Sequence, residues 1–251
     1  MNVYWLEQTE VDVPAEIDWL NHNEAVYLKN RRFSKRRADW RLGRWTAKRA
    51  LSVCLDVPAH PEIFRKMEIR PAPSGAPEAF FNNRPAGVTI SLSHRDGIAA
   101  CAVVKSHVEM GCDLEMVEPH SDAFLADYFT LEEQALVARA SAADRNRLLA
   151  LLWSAKESAL KAVRAGLRLD TRCVVVSPFE ASCDLHGWSR LVVRYTGGWA
   201  VPGQVFPGKV FHGWWQYKDN ILRTVVADPP PDSPIALAIP AHFFDGVSRC
   251  A

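Results

Sequence analysis

From Ala38 to Leu55 the apolar residues Trp40, Leu42, Trp45, Ala47, Ala50, Leu51 and Cys54 recur mostly three or four apart. Arg37, Arg41, Arg44, Lys48 and Arg49 take the positions between them. This spacing predicts a helix with one buried face and a basic remainder, ended by Pro58 and Pro61. Asp18 to Asn30 mixes apolar and polar residues at helical intervals, and Asp122–Arg139 and Ala143–Ala165 read as helices, with Gly166 placed like a C-terminal stop. Elsewhere the period is two. Val88 to Ser93 alternates as a strand, Arg95-Asp-Gly97 signals a turn, and Ile98–Val104 is apolar enough for a central strand. Val108–Glu115, Met67–Arg70, Cys173–Val176, Leu191–Tyr195, Val210–Tyr217 and Ile221–Ala227 also read as strands. Pro71 to Pro77 is a loop by its Pro and Gly content. Asp228-Pro-Pro-Pro-Asp-Ser-Pro234 reads as an unfolded connector, and the tail beyond it shows no pattern.

The order of these elements contains an echo. The hairpin Val88–Val104 has a counterpart in Phe211–Ala227, turning at Lys218-Asp-Asn220, and each follows a helical region. Two similar α+β halves meeting near residue 105 would produce this order, and so would chance. The expected organisation is an N-terminal α+β half over 1–105, a C-terminal α+β half over 106–228, and a Pro-rich connector and tail over 229–251.

Composition narrows the function classes. A formal net charge of +1 in 251 residues gives no global attraction to nucleic acid or membrane, so any basic surface must be local. No apolar run approaches the roughly 20 residues needed to cross a bilayer. Met1 to Glu10 has neither a basic leader nor an apolar core of signal-peptide length. The six cysteines are scattered, with no Cys-x-x-Cys pair, which suits reduced thiols rather than a disulfide or zinc framework. The expected location is cytoplasmic.

Four groups of residues carry candidate chemistry. In Gly111-Cys-Asp-Leu-Glu115, Asp113 and Glu115 are two apart, so both carboxylates leave one face of a strand. Adjacent carboxylates repel unless a cation lies between them or one is protonated, and oxygen-only donors suit a hard ion such as Mg2+ with substrate phosphates completing its shell. Two solvated acids on an edge strand would look the same. On the helix Trp153-Ser-Ala-Lys-Glu-Ser-Ala-Leu-Lys161, Trp153, Glu157 and Lys161 share a face, where a third carboxylate and a cation could complete a phosphate site. The same spacing also makes an ordinary surface ion pair. In Ser91-Leu-Ser-His94, a hydroxyl and an imidazole beside a tight turn could grip a phosphate, although a histidine at a turn is commonly structural. No Gly-x-Ser-x-Gly elbow supports serine-hydrolase chemistry. The basic stretch Lys29 to Arg49, interleaved with Trp40 and Trp45, could hold nucleic acid or an anionic cofactor, or be a solvated helix face.

Taken in order, Ser91–His94, Gly111–Glu115 and Trp153–Ala162 resemble the motifs of the 4′-phosphopantetheinyl transferases, in particular the long, single-chain surfactin-type class. The resemblance extends to Arg32-Phe33, Leu42-Gly-Arg44 and Gly166-Leu167, and spans about Lys29 to Val176. It implies a pseudo-dimer of two α+β halves with the active site in the cleft between them. It also implies transfer of phosphopantetheine from coenzyme A to a serine of an acyl, peptidyl or aryl carrier protein, releasing 3′,5′-ADP. Asp113, Glu115 and Glu157 would hold Mg2+. Lys161 would stabilise or protonate the leaving group, and Glu157 or a water bound to it would take the serine proton. Lys29, Arg44, Ser93 and His94, together with Asp113 and Lys161, would contact the cofactor. A monomer is expected. One departure stands out: Ser74-Gly-Ala-Pro77 lacks the lysine that many relatives carry before the hairpin. Two other readings are a coenzyme A-binding module without turnover and a nucleic-acid-binding protein using Lys29–Arg49.

Overall fold

Both expected hairpins turn where the backbone crosses into positive φ. Asp96 and Gly97 stand at 46° and 75°, and Asp219 and Asn220 at 55° and 60°. Two successive residues of this kind give the turn whose twist matches that of paired strands. The computed structural model of the chain describes residues 1–197 and 208–239. The first part runs β1 (Tyr4–Thr9), α1 (His22–Lys29), α2 (Ser34–Cys54), α3 (Pro61–Phe64), β2 (Met67–Pro71), β3 (Pro77–Phe81) and β4 (Arg84–Pro85). The first hairpin follows as β5 (Thr89–Arg95) and β6 (Ile98–Val104). After β7 (Glu109–Met116) come α4 (Asp122–Tyr128), α5 (Leu131–Arg139) and α6 (Ala142–Ala162). The chain continues through β8 (Val174–Cys183), β9 (Ser189–Tyr195), the second hairpin β10 (Val210–Lys218) and β11 (Ile221–Asp228), and β12 (Ile235–Ala236).

Among the described residues the protein is a mixed α+β fold with a sheet ordered β12-β1-β6-β5, a second ordered β7-β11-β10-β9-β8, and a small β2-β3-β4 sheet. Helix α2 covers the first sheet and α6 the second. Strand β6 shows why its run is apolar on both sides. Cys101 and Val103 join the core under α2 with Trp45, Leu51 and Ile90. Ala100, Ala102 and Val104 face the other way, into a core shared with Met110, Cys112, Leu114 and Val225 of the second sheet. Alternate residues of one strand thus bind the helix layer and the opposite sheet, which a period of two makes possible.

A buried ion pair recurs in the two parts of the chain. Glu24, third residue of α1 and closing a capping box with Asn21, accepts from Lys48 Nζ at 2.5 Å and from the Ile69 N–H of β2 at 3.1 Å. Glu133, third residue of α5 and closing a capping box with Thr130, pairs with Lys156 Nζ at 2.9 Å and accepts from the Val176 N–H of β8 at 3.1 Å. Each lysine is fully buried and spends its remaining donors on carbonyls: Trp19 and Phe64 for Lys48, Thr171 and Val174 for Lys156. A buried ammonium is tolerable only when its charge and its donors are met in this way. Each device ties a short helix, a long helix and the strand after it.

Several expectations change. Lys48 and Arg49 are buried, not on an exposed basic face. The long helix predicted from Asp122 to Arg139 is two helices, because Thr130 caps α5 by accepting from the Glu133 N–H at 3.2 Å and Phe129 turns extended into the core. Helix α6 ends at Ala162, and the residue in left-handed conformation that closes it is Arg164, not Gly166. The expected unfolded connector returns to the first sheet: the Met1 amino group meets Asp232 at 2.8 Å, and Ile235 and Ala236 pair parallel with Tyr4 and Trp5. Strands β1 and β3 lay outside the predicted set. The last expected cysteine, Cys250, lies outside the described residues.

Candidate active site

Strands β5 and β7 border the two large sheets, and side chains join them. Thr89, Ser91 and Ser93 alternate along β5, so their hydroxyls share one face. Thr89 Oγ1 accepts from the Val108 N–H at 3.0 Å, Ser91 Oγ from the Cys112 N–H at 2.9 Å, and Ser93 Oγ from the Leu114 N–H at 3.2 Å. Ser91 and Ser93 thereby meet buried amides of β7 that would otherwise lack acceptors, and Thr89 meets the amide just before the strand. This alternation was the sequence signal for the junction. The Ser-Leu-Ser-His reading took in Ser91, Ser93 and His94 but not Thr89, and assigned Ser93 and His94 to phosphate contact.

The junction places Asp113 at the centre of the site. Asp113 is buried, and its Oδ1 accepts from Ser93 Oγ at 2.8 Å and from Lys161 Nζ at 2.7 Å. Lys161 also donates to the Cys112 carbonyl at 3.0 Å. Lys161 can reach because β7 lies directly on α6 at Gly111: an added Cβ there would fall 1.9 Å from the Ser158 carbonyl oxygen and 2.7 Å from the Ala162 nitrogen. Glycine is what this contact requires. The helix face anticipated from Trp153, Glu157 and Lys161 is the one turned to β7. Trp153 Nε1 donates to Glu115 Oε1 at 3.0 Å, while Ser154 and Ser158, on a neighbouring face, bond Thr224 of β11. Lys161 pairs with Asp113 across the junction and not with Glu157 along its own helix.

The electrostatics follow from three carboxylates in a partly dry cleft. Burial, then the charge of Asp113, pushes Glu115 up to about 7, with Arg95 at 3.7 Å opposing. The same two causes raise Glu157, with Lys161 opposing. Burial is the largest single influence and acts to lower Lys161, but the charge and hydrogen bond of Asp113, together with Cys112 and Glu157, outweigh it and hold the ammonium above its ordinary range. Lys161 is therefore a fixed cation at neutral pH.

Among the described residues no group of three His, Cys, Asp or Glu side chains stands in an arrangement that would hold a metal ion. The donor chemistry nevertheless fits a hard divalent cation. Every donor is a carboxylate oxygen, and Asp113 Oδ2 and Glu157 Oε1 are buried with no hydrogen-bond partner. Such atoms are costly unless something binds them.

The remaining expected residues stand apart from this cluster. His94 is exposed near the end of β5, and Lys29 is exposed at the end of α1. Arg44 lies over the Trp40 ring at 4.9 Å and 4.0 Å from Glu24, with burial lowering its pKa. A cavity of about 290 Å³ opens between β5, the Ser74–Pro77 loop and the end of α6, with Lys161, the partner of Asp113, in its wall.

Residues 109–201 match the family model of the 4′-phosphopantetheinyl transferase superfamily. The matched stretch holds Asp113, Glu115, Glu157 and Lys161, and leaves Lys29, Arg44, Ser93 and His94 outside it. No curated protein matches the chain. The match supports a phosphopantetheinyl transferase activity in general. That family takes coenzyme A as substrate, acts on carrier proteins and typically uses a divalent metal. Among the described residues, no helix is long and apolar enough to cross a membrane.

Proposed function

We propose that this protein is a monomeric, cytoplasmic transferase of the long single-chain class, which moves the 4′-phosphopantetheine arm of coenzyme A onto a serine of an apo carrier protein in a Mg2+-dependent reaction. The observation that carries the reading is the junction of β7 and α6. There a buried aspartate holds a lysine ammonium beside two carboxylates raised by burial, and two carboxylate oxygens are left unpartnered.

Asp113, Glu115 and Glu157 would hold the Mg2+, which when bound supplies positive charge to the phosphate oxygens. The rest is work for the protein's own groups. Glu157, raised in pKa and without a partner on Oε1, accepts the proton of the attacking serine. The serine Oγ–phosphorus bond forms at the β-phosphate as the bond to the bridging oxygen breaks, and 3′,5′-ADP leaves. Lys161, charged and held by Asp113 and the Cys112 carbonyl, stabilises the departing phosphate. Ser93 positions Asp113 from the opposite strand. His94, Lys29 and Arg44 serve the phosphates of coenzyme A from the first part of the chain.

The same reading takes 1–105 and 106–228 as related halves of a pseudo-dimer, with 229–251 as an appended tail. Its support is the repeated buried Lys–Glu device and the shared strand orders β1-β6-β5 and β7-β11-β10. Incubation with coenzyme A, Mg2+ and a panel of apo carriers, read by intact mass, tests the function. A carrier gaining one phosphopantetheine supports it, while coenzyme A binding without transfer to any carrier would leave a binding module instead.

A further inference from the structure

Helix α6 closes on a charged residue where helices usually place glycine. The Arg164 N–H donates to the Lys161 carbonyl at 3.0 Å and the Ala165 N–H to the Leu160 carbonyl at 3.0 Å. This paired closure puts its penultimate residue in left-handed backbone. Arg164 accordingly stands at φ 56°, a conformation that costs a residue with a Cβ and that glycine takes freely. Backbone requirements alone favour glycine at 164, and a side chain retained against them points to a function.

The surroundings of the guanidinium say which. Arg164 and Lys161, three residues apart, both line the 290 Å³ cavity, whose walls include Ala76, Pro77, Ile90 and Leu92. Apolar walls with two cations at the rim suit a nucleobase carrying phosphates. Among the described residues the Arg164 Nη1 is held only by Glu78 Oε1 at 3.0 Å, and both side chains are substantially exposed, at 46% and 39%. An ion pair in that setting is weak and exchangeable. Arg168 fastens the cavity wall by donating to the Ser74 carbonyl at 3.1 Å and to the Arg164 carbonyl at 3.2 Å.

We infer that Arg164 is a phosphate-binding residue for the nucleotide end of coenzyme A, taking a phosphate in place of Glu78. The inference rests on the function proposed above, and it puts a cation on the side of the cleft facing the Ser74–Pro77 loop, which has none of its own.

Calorimetric titration of coenzyme A and dephospho-coenzyme A into the wild type, Arg164→Gly and Glu78→Gln, with thermal melts of each, tests it. Arg164→Gly relieves the backbone and should melt at or above the wild-type midpoint. Its dissociation constant for coenzyme A should rise by about 10-fold or more, the scale of one charge-assisted hydrogen bond. Glu78→Gln should tighten binding about 2- to 3-fold, as expected when a weak surface competitor is removed, and should do nothing in the Arg164→Gly background. A loss seen with both ligands assigns Arg164 to the pyrophosphate, and a loss confined to coenzyme A assigns it to the 3′-phosphate. Wild-type affinity in Arg164→Gly would overturn the inference while leaving the transferase reading intact. A wild type that neither binds coenzyme A nor modifies a carrier would overturn both.

Discussion

Replacing Gly111 by alanine should break the site by a route that involves no chemical group. The added Cβ would stand 1.9 Å from the Ser158 carbonyl oxygen, about 1.4 Å closer than the roughly 3.3 Å at which carbon and carbonyl oxygen ordinarily meet. It would also lie 2.7 Å from the Ala162 nitrogen and 2.9 Å from Lys161 Cβ. Two of these neighbours are helix backbone and cannot rotate away, so β7 or α6 must move bodily. Overpacking of this kind costs about 1–3 kcal/mol, and a forced backbone shift belongs at the upper end. At roughly 2–4 °C per kcal/mol for a protein of this size, the melting midpoint should fall by about 6–12 °C. Asp113 lies two residues along the displaced strand, and a misplacement near 1 Å costs on the order of 100-fold in rate. Circular dichroism melts and carrier-modification rates, measured well below the lowered midpoint, read the two effects separately. Gly43→Ala in α2 is the control. An added Cβ there meets nothing within 4 Å, so it should stabilise by about 0.5–1 kcal/mol. A Gly111→Ala protein with wild-type midpoint and rate would refute the close packing of β7 on α6 and the placement of the site upon it.

Glu157→Gln should stay folded and lose about 100-fold or more in turnover, as expected for losing a general base or metal ligand; near wild-type turnover would return Glu157 to the role of a bystander. Lys161→Ala should lower turnover as severely with little change in Mg2+ dependence, because it removes stabilisation felt mainly at the leaving phosphate. Lys156→Met and Lys48→Met should each cost about 3–5 kcal/mol in chemical denaturation, since each leaves a buried glutamate without its cation; a loss in only one would mean that the two pairs are not equivalent devices. In metal-free protein, Glu115 is raised from 4.5 to about 7. Its contribution to stability is therefore fully present below about pH 4.5 and lost as pH rises through about 7. Glu115→Gln should flatten that slope in pH-dependent denaturation, and an unchanged slope would remove the assignment.

Local physics made much of this protein legible from its residues alone. Turn chemistry placed both hairpins, and β6 runs from Ile98 to Val104 as its apolar run indicated. Helical periodicity located α2 and α6 and the shared face of Trp153, Glu157 and Lys161. The alternation in Gly111–Glu115 put two carboxylates on one side of β7. The capping boxes Asn21–Glu24 and Thr130–Glu133 were equally local, and the second would have divided α4 from α5. Strand β1 was harder to see, because Trp5, Leu6 and Gln8 are all buried and no alternation remains. Glu7, an acid within that strand, is met by Arg223, 216 residues away.

Only the tertiary structure decided which polar residues belong inside. Periodicity put Lys48 on a solvated face, yet Lys48 and Lys156 are fully buried, because acids and carbonyls from distant elements converge on them. It also decided that Lys161 serves Asp113, 48 residues away, and not Glu157 one turn back. Periodicity and turn preference come from sterics between near neighbours, so any stretch of chain displays them. Burial of a charge is decided by what the rest of the fold brings to meet it, and no window of sequence contains that partner.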